Sequence, residues 1–156
     1  MFRFGSQANK RFGCGALMKR VVLISCVSKK LPHAALAKDL YVSALFQFCL
    51  GYARTLEPDN IFILSAKYGL VDLEQPLEPY NDTLNTKRDT EIRLWAQGVL
   101  QQLCSKIDFE RDTVIFLAGE KYRRHLIDQI KQYEIPLLGL SIGRQLQFLK
   151  RALANA

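Results

Sequence analysis

The chain predicts an α/β fold: a three-layer α/β/α sandwich around a four-stranded parallel sheet. Three observations carry this expectation. Short apolar runs alternate with segments of helical periodicity. The runs are apolar throughout, as in strands covered on both faces. Polar and basic residues follow directly after the runs, where the strands of an open sheet meet their ligands.

The elements follow in order. Val21-Val22-Leu23-Ile24 reads as the first strand. A helix is expected from Asp39, which can cap it, to about Leu56, with a stripe of Leu40, Leu45, Phe46, Cys49, Tyr52 and Ala53. Pro58-Asp59-Asn60 makes a turn, and Ile61-Phe62-Ile63-Leu64 the second strand. Residues 65–88 contain Pro76 and Pro79 and read as a long loop, folded over the site by its aromatic and apolar content. Asp89 or Thr90 opens a helix that presents Ile92, Trp95, Ala96, Val99, Leu103 and Ile107 on one face. Thr113–Leu117 is the third strand, a helix runs from Gly119-Glu120 to about Tyr133, and Pro136–Leu140 is the fourth strand. Ser141 caps a last helix with Leu146, Leu149 and Ala152 inward and Arg144, Lys150 and Arg151 outward.

With 156 residues the chain fits one domain. Residues 1–17 hold Arg3, Lys10 and Arg11 and no acid, and read as a basic arm ahead of a domain at 18–156. A net charge of +7 favours polyanionic partners. No apolar run is long enough to span a bilayer, so no membrane partner is expected. Cys14, Cys26, Cys49 and Cys104 form no C-x-x-C pair, which argues against a zinc site and a disulfide framework. Cys49 and Cys104 read as core, and a reducing cytoplasm is the simplest setting. No cofactor or metal is expected, and a monomer is favoured.

Four segments carry candidate chemistry. Ser25-Cys26-Val27-Ser28-Lys29-Lys30 leaves backbone N–H groups and two lysines at a strand end, suited to phosphate, or forms a plain solvated turn. Ser65-Ala66-Lys67-Tyr68-Gly69-Leu70 offers Lys67 to an anion and Tyr68 to a base face. Pro79-Tyr80-Asn81-Asp82-Thr83-Leu84 pairs a second aromatic with an amide that can read a base edge and a carboxylate that can serve chemistry, or forms an Asx-turn. Gly119-Glu120-Lys121-Tyr122 opens a helix, with Arg123 behind it, and can meet phosphate; Arg144 is a further anion contact.

These segments, with Asp39-Leu40-Tyr41-Val42-Ser43-Ala44-Leu45-Phe46, resemble a family of small bacterial and phage proteins known as a domain of unknown function. Its pattern is S-C-x-x-K-K, D-L-Y-x-S-x-L-F, L-S-A-K-Y-G-L and P-Y-x-x-T-L. That family is distantly similar to the uracil-DNA-glycosylase-like superfamily, although the superfamily's G-x-D-P-Y and H-P-S loops are absent here. The resemblance implies a DNA glycosylase that removes a modified base, such as a glucosylated cytosine of phage DNA. It also implies roles. Asn81, Asp82 and Asp39 would be catalytic. Ser25, Cys26, Ser28, Lys67, Tyr68 and Tyr80 would bind the base. Lys29, Lys30, Gly119, Lys121, Tyr122, Arg123 and Arg144 would hold DNA. Two other readings stand beside it: a hydrolase or transferase acting on a free nucleoside or nucleotide, and a non-catalytic nucleic-acid-binding module.

Overall fold

A computed structural model describes residues 18–25 and 29–156. The proposed basic arm, Cys14, Cys26 and Ser28 lie outside the described residues. Strand β1 (Arg20–Ile24) is followed by a two-residue strand β2 (Ala35–Leu36), a single turn α1 (Ala37–Leu40) and helix α2 (Ala44–Thr55). Next come β3 (Asn60–Ser65), β4 (Gly69–Asp72), β5 (Pro76–Leu77) and helix α3 (Asp89–Leu103). The chain closes with β6 (Thr113–Leu117), a single turn α4 (Glu120–Arg123), β7 (Gln132–Glu134) and helix α5 (Ile142–Ala154).

Five strands form the main sheet in the order β4-β3-β1-β6-β7. β3, β1, β6 and β7 are mutually parallel, and β4 pairs antiparallel with β3. β2 and β5 pair apart from it as a small antiparallel ribbon. Alternate residues of the central strands enter two separate cores. Val22, Ile24, Ile63, Ile115 and Leu117 pack with α2 and α5 residues such as Phe46, Leu50 and Leu149. Val21, Leu23, Phe62, Leu64, Val114 and Phe116 pack with Ile92, Ala96, Val99 and Leu103 of α3. Helices therefore cover both faces, which explains why β1, β3 and β6 are apolar at nearly every position.

Five expectations need correction. Pro136–Leu140 is no strand: it forms turns, with Gly139 at φ 79°. Its apolar content anchors a connection instead, since Leu137 is buried in the α2/α5 core. The fourth parallel strand is β7, whose exposed residues hid it. Among the described residues it pairs only with β6, and an edge strand needs no continuous apolar run. The helix expected to run to Tyr133 is the single turn α4, because the chain must turn back to reach β7. Residues 65–88 are not one irregular loop; Gly69, at φ 74°, lets the chain double back from β3 into β4.

The fourth correction shapes the site. The helix from Asp39 is broken at 41–43, and Ser43 caps α2, its Oγ accepting from the Phe46 N–H at 3.1 Å. Here the backbone bridges to the 29–31 segment. Leu31 N–H donates to Leu40 O and Val42 N–H to Lys29 O, both at 2.9 Å. Tyr41 is thereby drawn inward, while Asp39 stays exposed on α1. Cys104 is likewise exposed, at the end of α3, whereas Cys49 is buried as expected.

Candidate functional site

The connections run from β1 outward to β3 and then across to β6, so strand order reverses between β1 and β6. Ligands of open α/β sheets bind at such a reversal, beyond the carboxyl ends of the strands. Ser25 sits there. Its N–H donates to Leu117 O at 3.2 Å, and its Oγ accepts from Gly119 N–H at 3.1 Å. The two strand tips are thus tied together, and the Gly119 N–H proposed for an anion is already engaged.

Beside it, the tip of β3 organises a chain of hydroxyls. Ser65 is fully buried. Its Oγ accepts from the N–H groups of Lys67 (3.2 Å) and Tyr68 (3.0 Å). The same oxygen donates to the Tyr80 hydroxyl at 2.8 Å. Tyr80 and Tyr41 hydroxyls lie 2.7 Å apart. The Ser65 carbonyl accepts from the Trp95 indole N–H at 2.8 Å, which fastens the tip to α3. Burial raises both phenol pKa values, and the bond to Tyr80 raises that of Tyr41 further, so both remain protonated at neutral pH.

The rings and lysines complete the cluster. Tyr68 meets Tyr80 edge-on, with centroids 5.4 Å apart. Lys30 Nζ lies 4.4 Å from the Tyr80 centroid and 5.9 Å from that of Tyr41. Burial lowers the pKa of its ammonium. Lys67 Nζ lies 5.3 Å from the Tyr68 centroid. Asn81 and Asp82 continue directly from Tyr80 and are exposed. Lysines from the loops after β1 and β3 therefore converge on one aromatic group, with an amide and a carboxylate at its rim.

Other expected site residues have different surroundings. Tyr122 is buried in the α3-side core, edge-on to Trp95, and its hydroxyl accepts from Leu84 N–H at 3.3 Å. It packs the fold rather than presenting a surface to DNA. Lys121 Nζ donates to Asn85 O at 3.0 Å, and Arg123 donates to Ala118 O at 2.7 Å. Both brace loops around the strand tips. Lys29 is exposed beside Lys30. Arg144 is exposed in the first turn of α5 and makes no hydrogen bond or ion pair with the cluster among the described residues.

Three contributors escaped sequence reasoning. Tyr41 stood there only within the Asp39–Phe46 motif, Trp95 on the apolar face of a helix, and Ser65 at the head of the segment after the second strand, with no role of its own. A polar handle on each was the available signal: a buried Tyr, Trp or Ser needs a hydrogen-bond partner.

Fold and site together define a class: an α/β protein with helices on both sheet faces and a basic, aromatic, hydroxyl-rich site at the carboxyl ends of its strands. The chain belongs to the family of unknown function DUF6884, whose model matches residues 21–151. No curated protein and no solved structure matches it. No helix among the described residues is long and apolar enough to cross a membrane.

Proposed function

We propose that this chain is a DNA glycosylase that hydrolyses the N-glycosidic bond of a modified base, with phage DNA as the substrate and a uracil-DNA-glycosylase-like fold as its frame. One observation carries the reading. Exposed Asn81 and Asp82 emerge from an anchored Tyr80 beneath Lys30, at the strand tips where α/β sheets bind ligands.

The roles follow from position. The half-buried Tyr68 ring is the surface on which a flipped base stacks, a contact worth about 1–3 kcal/mol in single-strand binders. Tyr80 is too enclosed to act as a stacking face and serves as a support. Asn81 reads the base edge or holds water, and Asp82 stabilises the positively charged sugar as the base departs. Lys29 and Lys67 grip flanking phosphates. Asp39 lies two residues from Tyr41 and stands as the second carboxylate for that role.

The test is incubation with genomic DNAs carrying different cytosine modifications, followed by alkali and mass spectrometry of released base. Strand breaks and free modified base are expected. Asp82→Ala should lower the rate at least a hundredfold, in the range of lost general acid–base or electrostatic assistance. Its unfolding midpoint should match the parent's, because Asp82 is exposed. Base release from free nucleosides alone would replace this reading with a small-molecule hydrolase or transferase. Salt-steep binding to every DNA with no product would replace it with a binding module.

A further inference from the structure

The main sheet has two edges, β4 and β7, and the molecule treats them differently. An edge strand presents a row of outward N–H and C=O groups that can pair with another chain unless something covers them. At β4 the row is closed. Leu70 N–H donates to Gln102 Oε1 at 2.9 Å, and Leu70 O accepts from Gln102 Nε2 at 3.4 Å. Asp72 N–H donates to Gln75 Oε1 at 3.4 Å, and Asp72 O accepts from Gln75 N–H at 3.1 Å. Two glutamines thus engage the outward groups of Leu70 and Asp72.

At β7 the row is open. Its direction follows from β6. Thr113 N–H donates to Lys19 O on the β1 side, so alternation along β6 turns Val114 towards β7. Val114 is aligned with Tyr133 and therefore bonds to the residues on either side of it, Gln132 and Glu134. Tyr133 then points its own N–H and C=O away from the sheet, in one row with Ile135 N–H and Lys131 O. None of these four groups has a partner among the described residues. The remaining two groups of the row are engaged within the chain. Lys131 N–H donates to Phe109 O at 3.0 Å, and Ile135 O accepts from Leu138 N–H at 3.1 Å. The Tyr133 side chain beside this row is exposed.

We propose that the β7 edge joins two copies of this chain, whose β7 strands pair antiparallel about a two-fold axis at Tyr133, in place of the monomer that the sequence favours. The four open groups are complementary to themselves about that axis. Each Tyr133 N–H meets the partner's Tyr133 O, and each Ile135 N–H meets the partner's Lys131 O. The two groups already engaged within the chain are not needed. An axis at Gln132 leaves Tyr133 O without a donor. One at Glu134 leaves Tyr133 N–H without an acceptor and sets two carboxylates face to face. The side chains agree with the Tyr133 axis. Gln132 lies opposite the partner's Glu134, amide to carboxylate, and the two Tyr133 rings form a cross-strand aromatic pair. Antiparallel pairing points the carboxyl ends of the two sheets in opposite directions, so each candidate site stays open. Such a two-fold contact closes on itself and forms no filament. A three-residue strand buries little area, so the dimer is weak and depends on concentration.

Sedimentation velocity of the full chain, from micromolar to near-millimolar concentration, tests this. A reversible monomer–dimer equilibrium is expected. Hydrogen exchange at the Tyr133 and Ile135 amides should slow as the dimer fills. Tyr133→Pro deletes an outward N–H that β6 does not use, a place where an edge strand tolerates proline. Tyr133→Lys sets two like charges directly opposite each other at the axis and should weaken association by about tenfold or more. It keeps every backbone group, so its result stands even if Tyr133→Pro misfolds. A monomer at every concentration, a dimer that survives Tyr133→Lys, or a dimer whose Tyr133 and Ile135 amides exchange as fast as the monomer's would overturn the proposal.

Discussion

Ser65 concentrates more polar contacts than any other buried side chain of the site: two N–H groups in, one hydroxyl out, and a carbonyl fastened to Trp95. Its small size matters, because a larger group at the tip of β3 would displace the Tyr80 ring. Ser65→Ala should cost about 1–3 kcal/mol, since it strands buried donors and leaves Tyr80 one partner short. Urea unfolding checks this. Trp95→Phe keeps an aromatic ring beside Tyr122 but removes the indole donor and part of the packed ring volume, so a loss of at least about 1 kcal/mol is expected in the same assay. A neutral result for both would mean that the strand tip is held by packing alone.

At the scale of elements, the β3–β4 turn governs how the Lys67-Tyr68 pair is presented. Gly69 has φ 74°, where an L-residue is strained. A Cβ there would also press on the Gln102 side chain, which accepts from Leu70 N–H at 2.9 Å. Gly69→Ala should therefore destabilise by about 1–2 kcal/mol from the backbone alone. Adding Gln102→Ala relieves the steric part and not the strain, so the double variant should remain less stable than Gln102→Ala. Thermal unfolding of the set separates the two contributions. The break between α1 and α2 is the other element-level device. It lets residues 40–42 bond to residues 29–31, and this pairing places Tyr41 and Lys30 on the same aromatic cluster.

Across the whole molecule, an ion cluster joins the start of α3 to α4. His125 Nε2 lies 2.8 Å and Arg124 Nη1 2.7 Å from Asp89 Oδ1, and Arg124 also pairs with Glu120. Hydrogen bonds from His125 and Arg124 hold the Asp89 carboxyl at about 2, below its ordinary 3.8. A depressed carboxylate stabilises the fold above its unfolded pKa and loses that contribution as pH falls through the folded value. The Asp89 contribution should thus be complete above about pH 4 and vanish towards pH 2. Asp89→Asn should flatten that part of the stability–pH curve, as measured by chemical denaturation across the range. Because the pairs are exposed, added salt should shrink the difference between parent and variant.

Local pattern was enough to reveal the α/β class, the three central strands, and helices α3 and α5. Each is long or buried enough for its periodicity to speak. It also brought forward the segments around Ser25 and Lys67, because polar and aromatic residues directly after buried strands have few structural uses, and the segment around Tyr80, where an aromatic adjoins an amide and a carboxylate. Contacts between distant segments decided the rest. β7 is an exposed edge strand whose identity lies in its partner β6. The apolar run at 136–140 looks like a strand until Leu137 is seen to anchor a turn. Tyr41 is an ordinary packing aromatic until residues 40–42 pair with residues 29–31. The hydroxyl chain has the same origin. Hydrogen-bond satisfaction of a buried group depends on what the fold brings within 3 Å of it, and no local window of residues contains that information.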